Sequence, residues 1–548
     1  MNIKKITSLQ QLMTYREVWN DILSMCQNNN PFIEFEWIRQ WLCYFQDSFE
    51  PYIYLVEHED EVIAIFPFIK KRTRFYNYIH FAGYGQANYM DIVAVEKWKE
   101  IAIRTVMNEL INERRKVVIL HGLLDSKGTA NAFIHYCTDN DIPVHKSQII
   151  APFIDLQMEN FDDFIKKKMK KHGGDRKEKR MKKLGNVAFH PLDKTQLETM
   201  FRLHEKRWKS KIDTSGFSKG HTHDFYKNIA FLNNKVIETK IDGLFIENRL
   251  VAFFYGFVCR NRYVLYILAH DDDFGVFSPG RMLLKETIKN RYRNQVQNFD
   301  LSIGFEPYKL DWNTNTDRVS KVILPCKGWL SRFGYWHVSM RDKLIQFLKK
   351  NKSLVHFKRN TLGKLLNFLH DLNPSYFKKT IKTIGGFLFQ KNMVEIYRID
   401  RRLFEKKTVS KKFQLITLKE LIQHSSIFKG NVEEIIKRLY QKQQCYCLIQ
   451  DGMITNYFWV NEKVLQIDVV DVAEQLPSHS AYIYDWQSFD GDVASTLFEK
   501  NNKLLSIYVA IPNHCKDKTS FHDQGFIRVY QITKKVIFGF RFISRRNF

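Results

Sequence analysis

The sequence predicts a mixed α/β (α+β) protein built from repeated units. Three observations carry that expectation. Residues 263–312 read as a buried strand, a glycine-containing turn, a helix and a second strand. A hairpin of one pattern occurs three times: Leu55-Val-Glu-His-Glu-Asp-Glu-Val-Ile-Ala-Ile-Phe, Leu244-Phe-Ile-Glu-Asn-Arg-Leu-Val-Ala-Phe-Phe and Cys447-Leu-Ile-Gln-Asp-Gly-Met-Ile-Thr-Asn-Tyr-Phe. Three such hairpins, each in an α/β context, suggest three copies of one fold. Finally, 44% of the 548 residues are hydrophobic and 14% aromatic, enough for several cores and against disorder.

The first copy is expected at residues 1–155. Residues 9–26 and 34–45 read as helices, the second with Trp37, Trp41 and Phe45 at four-residue spacing. Residues 52–57 and 62–69 read as hairpin strands turned by Glu-His-Glu-Asp-Glu. A helix at 98–112, a strand at 116–121 and a helix at 131–139 follow. Gly83-Tyr-Gly-Gln-Ala-Asn-Tyr-Met-Asp91 reads as a tight connection, with the lining of an acceptor cleft as the alternative.

The second copy is expected at residues 156–330. It opens on the most basic stretch: residues 166–183 hold eleven Lys and Arg against Asp175 and Glu178, split into two helical pieces at His172-Gly-Gly. A strand at 187–191 and a helix at 196–209, carrying His204, Arg207 and Trp208, come next. Hairpin strands at 238–247 and 250–259 turn at Asn248-Arg249. In the stretch that follows, 263–269 is apolar and β-branched, and Pro279 and Gly280 stand where a helix start tolerates them. Met282, Leu283, Ile288 and Tyr292 then keep helical spacing.

Residues 331–393 read as a basic helical connector. From 341 to 391 twelve Lys and Arg face only Asp342 and Asp371, alternating with Leu344, Phe347, Leu348, Leu354, Phe357, Leu362, Leu365 and Leu366. Such a pattern is a helix with its basic face in water, or a segment lying on an anionic membrane. Residues 394–548 read as the third copy, with strands at 445–450, 454–460, 482–486 and 504–510, a helix at 493–500, and the closing Gln524-Gly-Phe-Ile-Arg-Val-Tyr.

A turn into a helix leaves backbone N–H groups free at the positive end of the helix dipole, which makes an anion site. Arg281 adds a fixed charge there, and an acyl-CoA pyrophosphate would suit it; a plain strand–helix crossover is the alternative. Ser278-Pro-Gly-Arg-Met-Leu-Leu, followed by Phe299-Asp-Leu-Ser-Ile-Gly-Phe-Glu-Pro-Tyr-Lys-Leu-Asp-Trp, resembles the GNAT-fold acetyltransferases of the cellulose-biosynthesis (CelD/BcsL) type. Those are distant relatives of the Fem peptidoglycan aminoacyltransferases. The sequence departs from that pattern at Phe305, where a small or polar residue is expected.

The resemblance covers residues 1–330. It implies tandem GNAT-like acyltransferase units, two forming the core and a third, degenerate one at the C-terminus. It implies acetyl-CoA or another acyl-CoA as donor and a cell-envelope or exopolysaccharide precursor as acceptor. Ser278, Pro279, Gly280 and Arg281 would hold the donor pyrophosphate. Lys309, on the strand after the helix, is implied at the reaction centre, stabilising the transition-state oxygen or the donor. Tyr308 is a candidate proton donor to the leaving thiolate. Asp300, Glu306 and His270 are candidate general bases; histidine titrates in the useful range, whereas the carboxylates need raised pKa values. In the resembling family a basic helix flanks the substrate groove, which makes Arg176, Lys179 and Arg180 candidate substrate contacts. Arg207 and Trp208 are candidates to clamp or stack on the acceptor. In the third copy Phe489-Asp-Gly-Asp492 stands where a pyrophosphate turn belongs. Two aspartates there would repel the donor, so this copy is expected to be structural or acceptor-binding.

The 85 Lys and Arg exceed the 59 Asp and Glu by a formal +26, which attracts phosphates, nucleic acid or an anionic membrane without choosing among them. A Fem-like enzyme using aminoacyl-tRNA is therefore the alternative reading, and a non-enzymatic GNAT scaffold the third. The N-terminus lacks a signal-peptide core, and no window approaches the roughly 18 apolar residues a spanning helix needs. Eight scattered cysteines fit a reducing, cytoplasmic setting. No metal is expected; His221-Thr-His223 reads as a solvated loop. The absence of a serine or cysteine nucleophile motif favours direct transfer.

Overall fold

All three expected hairpins form, and they close alike. Ile53–His58 pairs with Glu61–Phe66, Ile237–Ile246 with Arg249–Cys259, and Gln444–Gln450 with Met453–Asn461, each antiparallel. The turns are Glu59-Asp60, Glu247-Asn248 and Asp451-Gly452, every residue at positive φ. That is the two-residue geometry whose twist matches the flanking strands. Each first strand also shifts register at the same distance from its turn, after Val56, Leu244 and Leu448. The first turn is thus shorter than the five residues read from the sequence, and the second lies one residue earlier than Asn248-Arg249.

The structure, a computed structural model, describes residues 1–26, 28–171, 173–209, 220–234, 236–350, 389–404, 412–424, 426–428, 432–489, 491–513, 518–537 and 540–548. It divides into two units. The first is Met1–Arg176, Ala188–Asp271 and Ser278–Lys364; the second is Lys177–Val187, Asp272–Phe277 and Leu365–Phe548.

In the first unit, β1 (Asn77–Phe81) and β2 (Lys116–Leu124) run parallel, connected through helix α1 (Lys99–Leu110). Strand β3 (His145–Asp155) follows. The basic stretch folds as α2 (Phe161–Lys171) and, past Gly173 with φ 62°, a second helix, Gly174–Leu184, whose residues from Lys177 on belong to the second unit. Then come α3 (Leu197–Lys209), β4 (Arg262–His270), α4 (Pro279–Arg293), β5 (Asn298–Asp300), α5 (Pro307–Trp312), β6 (Asn315–Pro325) and α6 (Trp329–Lys350). Strands β4 and β5 repeat the parallel crossover.

One 11-stranded sheet runs Val187–Pro191, Ile237–Ile246, Arg249–Cys259, β4, β5, β3, β6, β2, β1, Phe68–Lys71, Glu50–Pro51. Strand β3 inserts between β5 and β6, and β6 lies against β2. Each half of the sheet is therefore completed by a strand from the other. The hydrophobic core is correspondingly continuous from Ile6 to Cys326, with Trp19, Trp37 and Trp41 fully buried in it.

Three expected elements differ. Helix 9–26 is two helices, Leu9–Met13 and Arg16–Met25, because the Thr14 hydroxyl turns back to the Gln11 carbonyl at 2.8 Å. The strand expected through residue 309 stops at Asp300. Ser302 (φ 66°) and Gly304 (φ 130°) turn the chain, and Pro307 opens a helix instead. His221 and His223 lie on the helix Gly220–Ile229 rather than in a loop.

In the second unit, an 8-stranded sheet runs Gln414–Leu415, Gln444–Gln450, Met453–Asn461, Ser480–Tyr484, Ser506–Pro512, Phe389–Asp400, Ile527–Ile537, Phe540–Asn547. With β7 (Phe389–Asp400), β8 (Ser480–Tyr484), α7 (Gly491–Lys500) and β9 (Ser506–Pro512) named, the layout of the first unit recurs. A hairpin leads to a parallel pair, here β8 and β9, and an earlier strand, here β7, lies beside the pair as β3 does. Leu354, Phe357, Leu362, Leu365 and Leu366 lie outside the described residues. Among the described residues no helix is long and apolar enough to cross a membrane.

Candidate functional site

The candidate site is created where β4 and β5 part. They share register over three pairs only, Arg262 with Asn298, Tyr263 with Phe299 and Val264 with Asp300. Strand β5 ends there while β4 runs on to His270. Asp300 is what ends it. Its carboxylate accepts the Ser302 backbone N–H at 2.5 Å and the Tyr89 hydroxyl at 2.8 Å, and its other oxygen is ion-paired with Arg262. At 1% exposure and with three donors on it, Asp300 is a buried structural carboxylate rather than an open base. Burial and the Asp300 charge also raise the Tyr89 hydroxyl well above its ordinary pKa.

Beyond the parting, α4 begins against the end of β4. Ser278 sits in the left-handed region (φ 59°, ψ 56°) and Pro279 takes the first helical turn. Gly280 matters by close approach: a Cβ there would lie 3.3 Å from His270 Nδ1. Arg281 donates to Asp311 at 3.0 Å. Lys171 holds the other Asp311 oxygen at 2.7 Å, and Lys168 donates to the Asp311 carbonyl. The basic stretch thus delivers Lys168 and Lys171 to this helix start, two residues that the sequence reading did not single out. Their spacing of four and seven residues from Phe164, which packs edge-on to Trp312 at 6.2 Å, was the available signal. Arg176 and Lys179 are exposed and have no ion-pair partner among the described residues. Lys179 and Arg180 belong to the second unit, where the Arg180 guanidinium lies 4.6 Å from the Tyr440 ring centre.

His270 Nδ1 lies 2.5 Å from Arg207 Nη1. A guanidinium can only donate, so Nδ1 is the acceptor and the ring proton sits on Nε2. In that state Nδ1 is already engaged by Arg207, which argues against His270 as the general base. Trp208 is half-buried beside His204, ring centres 5.7 Å apart, and its indole N–H has no hydrogen-bond partner among the described residues. Burial, and then the Arg207 charge, push His204 down to about 3.

Helix α5 supplies the remaining groups. Buried Lys309, on a helix rather than the expected strand, donates to the Ile303 carbonyl at 2.6 Å and pairs with Glu306 at 3.1 Å. It therefore holds the 303–306 turn and positions Glu306. Glu306 remains exposed, the one sequence-expected base open to a substrate. The turn requires Gly304 through its φ of 130°, and a Cβ there would also push the Glu306 carboxylate aside. Tyr308 has its hydroxyl raised above the ordinary value by burial and by Glu306, with Arg207 opposing. So weak an acid suits hydrogen-bond donation to a thiolate better than full proton transfer. Glu306, Tyr308, Arg207, His270 and Gly280 thus form a connected group at the strand parting. Among the described residues no three His, Cys, Asp or Glu side chains gather as a metal site. A cavity of about 650 Å³ opens elsewhere, between Asn108, Tyr136, Cys326 and Trp329, and contains none of these residues.

The second unit has its own cavity of about 460 Å³ at the ends of β8 and β9, lined by Tyr482, Tyr484, Trp486 and Pro512. Glu434, Asp468 and Asp485 face a single cation there, Arg438, a charge balance unsuited to a pyrophosphate.

Residues 170–310 match the domain family described as Acetyltransferase (GNAT) domain. No curated protein matches the chain. Among solved structures, FemX is 10% identical over 58% of this chain and 97% of its own, with a TM-score of 0.42. The C-terminal domain of a putative lysylphosphatidylglycerol synthetase from Agrobacterium fabrum is 9% identical over 58% and 92%, at 0.37. A tandem GNAT protein from the clavulanic acid biosynthesis pathway is 5% identical over 59% and 98%, at 0.32.

Proposed function

We propose that the protein is an acyltransferase of the CelD/BcsL type that moves an acetyl or other acyl group from coenzyme A directly to an amine or hydroxyl of a cell-envelope or exopolysaccharide precursor. The GNAT domain match over 170–310 supports acyl transfer. The observation that carries the donor assignment is the start of α4, a helix N-terminus beside parted strands, with Lys168, Lys171 and Arg281 gathered at Asp311. Three cations against one carboxylate leave a positive surplus at the positive end of the helix dipole, which suits a pyrophosphate.

In this reading the thioester carbonyl lies between β4 and β5. Glu306 accepts the acceptor's proton as its nitrogen or oxygen attacks the carbonyl carbon; the new C–N or C–O bond forms and the C–S bond breaks. Tyr308 donates a hydrogen bond to the departing sulfur, and backbone N–H groups are donors for the oxyanion. Lys309 is a positioning residue that fixes Glu306. Arg207 holds the His270 tautomer. The acidic cavity of the second unit makes that copy structural or acceptor-binding.

The test is release of free thiol from acetyl-CoA in the presence of amino-sugar acceptors. Glu306→Gln should lower kcat about 100-fold or more with little change in acetyl-CoA affinity, and Tyr308→Phe about tenfold. Full activity in Glu306→Gln would refute its role as base. Tight tRNA binding that collapses with salt, with no response to acetyl-CoA, would instead support the aminoacyl-tRNA reading.

A further inference from the structure

Helix α6 turns most of its large apolar side chains outward. The face that packs on the sheet mixes small and polar residues with Tyr335 and Val338, which pack on Tyr76, Val117, Ile119 and Ile323. The Ser331 hydroxyl accepts the Lys116 backbone N–H at 2.9 Å, and Asp342 pairs with Lys321 at 2.7 Å and His145 at 3.0 Å. His337 Nδ1 meets the Tyr76 hydroxyl at 3.0 Å. At Gly334 a Cβ would come within 2.7 Å of the Val117 side chain. The outward face carries Trp329, Phe333, Trp336, Met340, Leu344 and Phe347, each between 48% and 74% exposed. Their spacings of three and four residues set them in one stripe, about 27 Å long at the helical rise. A stripe of this size on a soluble fold marks an interaction surface.

Its flanks identify the partner. Arg332, Arg341 and Lys343 are exposed and have no ion-pair partner among the described residues. The helix has a single acidic residue, Asp342, and its carboxylate is spent on Lys321 and His145. Tryptophan and phenylalanine flanked by unpaired cations fit the interface of an anionic bilayer, where the rings sit at headgroup depth and the cations meet lipid phosphates. The charge excess of the whole chain has the same sign. We propose that α6 docks the first unit onto an anionic lipid surface through the Trp329–Phe347 stripe. The acyl-transfer reading does not depend on this docking, nor the docking on it.

The experiment is co-sedimentation of the full chain with phosphatidylcholine vesicles made with and without phosphatidylglycerol, at low and high ionic strength. The expected result is binding that requires phosphatidylglycerol and weakens with salt. The double variant Trp329→Ser, Trp336→Ser should lower partitioning at least about tenfold. The variant Arg341→Gln, Lys343→Gln should lower it about fivefold per charge removed. Both variants should melt like the wild type, because the side chains are exposed. Absence of binding to anionic vesicles would overturn the proposal, as would equal binding by the variants. So would a dimer in sedimentation velocity that the tryptophan variant dissociates, since the stripe would then belong to a second copy.

Discussion

Replacing Asp300 by asparagine separates a structural anion from a catalytic base. The Asp300 side chain is 1% exposed and that of its partner Arg262 12%. Asparagine keeps a carbonyl for the Ser302 N–H and the Tyr89 hydroxyl but removes the charge. Arg262 is then left buried and unpaired, a change that costs about 3–5 kcal/mol. At about 2 °C per kcal/mol for a unit of this size, the melting temperature should fall by about 6–10 °C. A double-mutant cycle gives the coupling directly: Arg262→Met with Asp300→Leu should be less destabilising than the sum of the single changes by about 2 kcal/mol or more. Thermal and urea unfolding of the four proteins is the assay. Unchanged stability together with abolished acyl transfer in Asp300→Asn would refute the assignment and restore Asp300 as a base.

Gly304→Ala places a Cβ in the Glu306 carboxylate at φ 130°, so transfer activity should fall about tenfold or more while stability drops by only about 1–2 kcal/mol; an active variant would show that the turn does not fix Glu306. Asp342 is pushed up by burial, but hydrogen bonds from Lys321 and Ser147 outweigh this and hold it at about 2, below its ordinary 3.8. A depressed carboxylate stabilises the fold above the unfolded pKa, so this contribution is full at neutral pH and lost between about pH 4 and pH 2. Asp342→Asn should flatten the acid limb of the stability curve by about 2 kcal/mol, and an unaltered limb would contradict the ion pairs.

The sequence made the repeat visible because hairpin turns are local. Glu59-Asp60, Glu247-Asn248 and Asp451-Gly452 close strands whose pattern is readable over a dozen residues. Element ends were less legible. Pro307 is a helix-start signal, yet the apolar run before it suggested a continuing strand, and only the Asp300 contacts show why that strand stops. Those contacts reach Arg262 and Tyr89, far off in the chain. Long-range pairing likewise hid the insertion of β3 between β5 and β6. Among the candidate residues, Ser278, Gly280, His270, Arg207, Glu306, Tyr308 and Lys309 do fall around one strand parting. Their individual chemistry was not legible, since a tautomer depends on a partner such as Arg207 that only the fold brings near. The basic stretch was read as a helix beside the substrate groove with Arg176, Lys179 and Arg180 as candidate contacts; that Lys168 and Lys171 turn toward α4 depends on Phe164 packing on Trp312, a contact the sequence does not display.

The most direct test of the donor site is calorimetric binding of acetyl-CoA to the wild-type chain beside Lys171→Ala with Arg281→Ala. The account predicts micromolar binding to the wild type, weakened at least about tenfold when the two cations are removed. Equal affinity in both proteins would move the donor away from the start of α4. No binding to the wild type at millimolar acetyl-CoA would contradict the acyl-CoA reading itself.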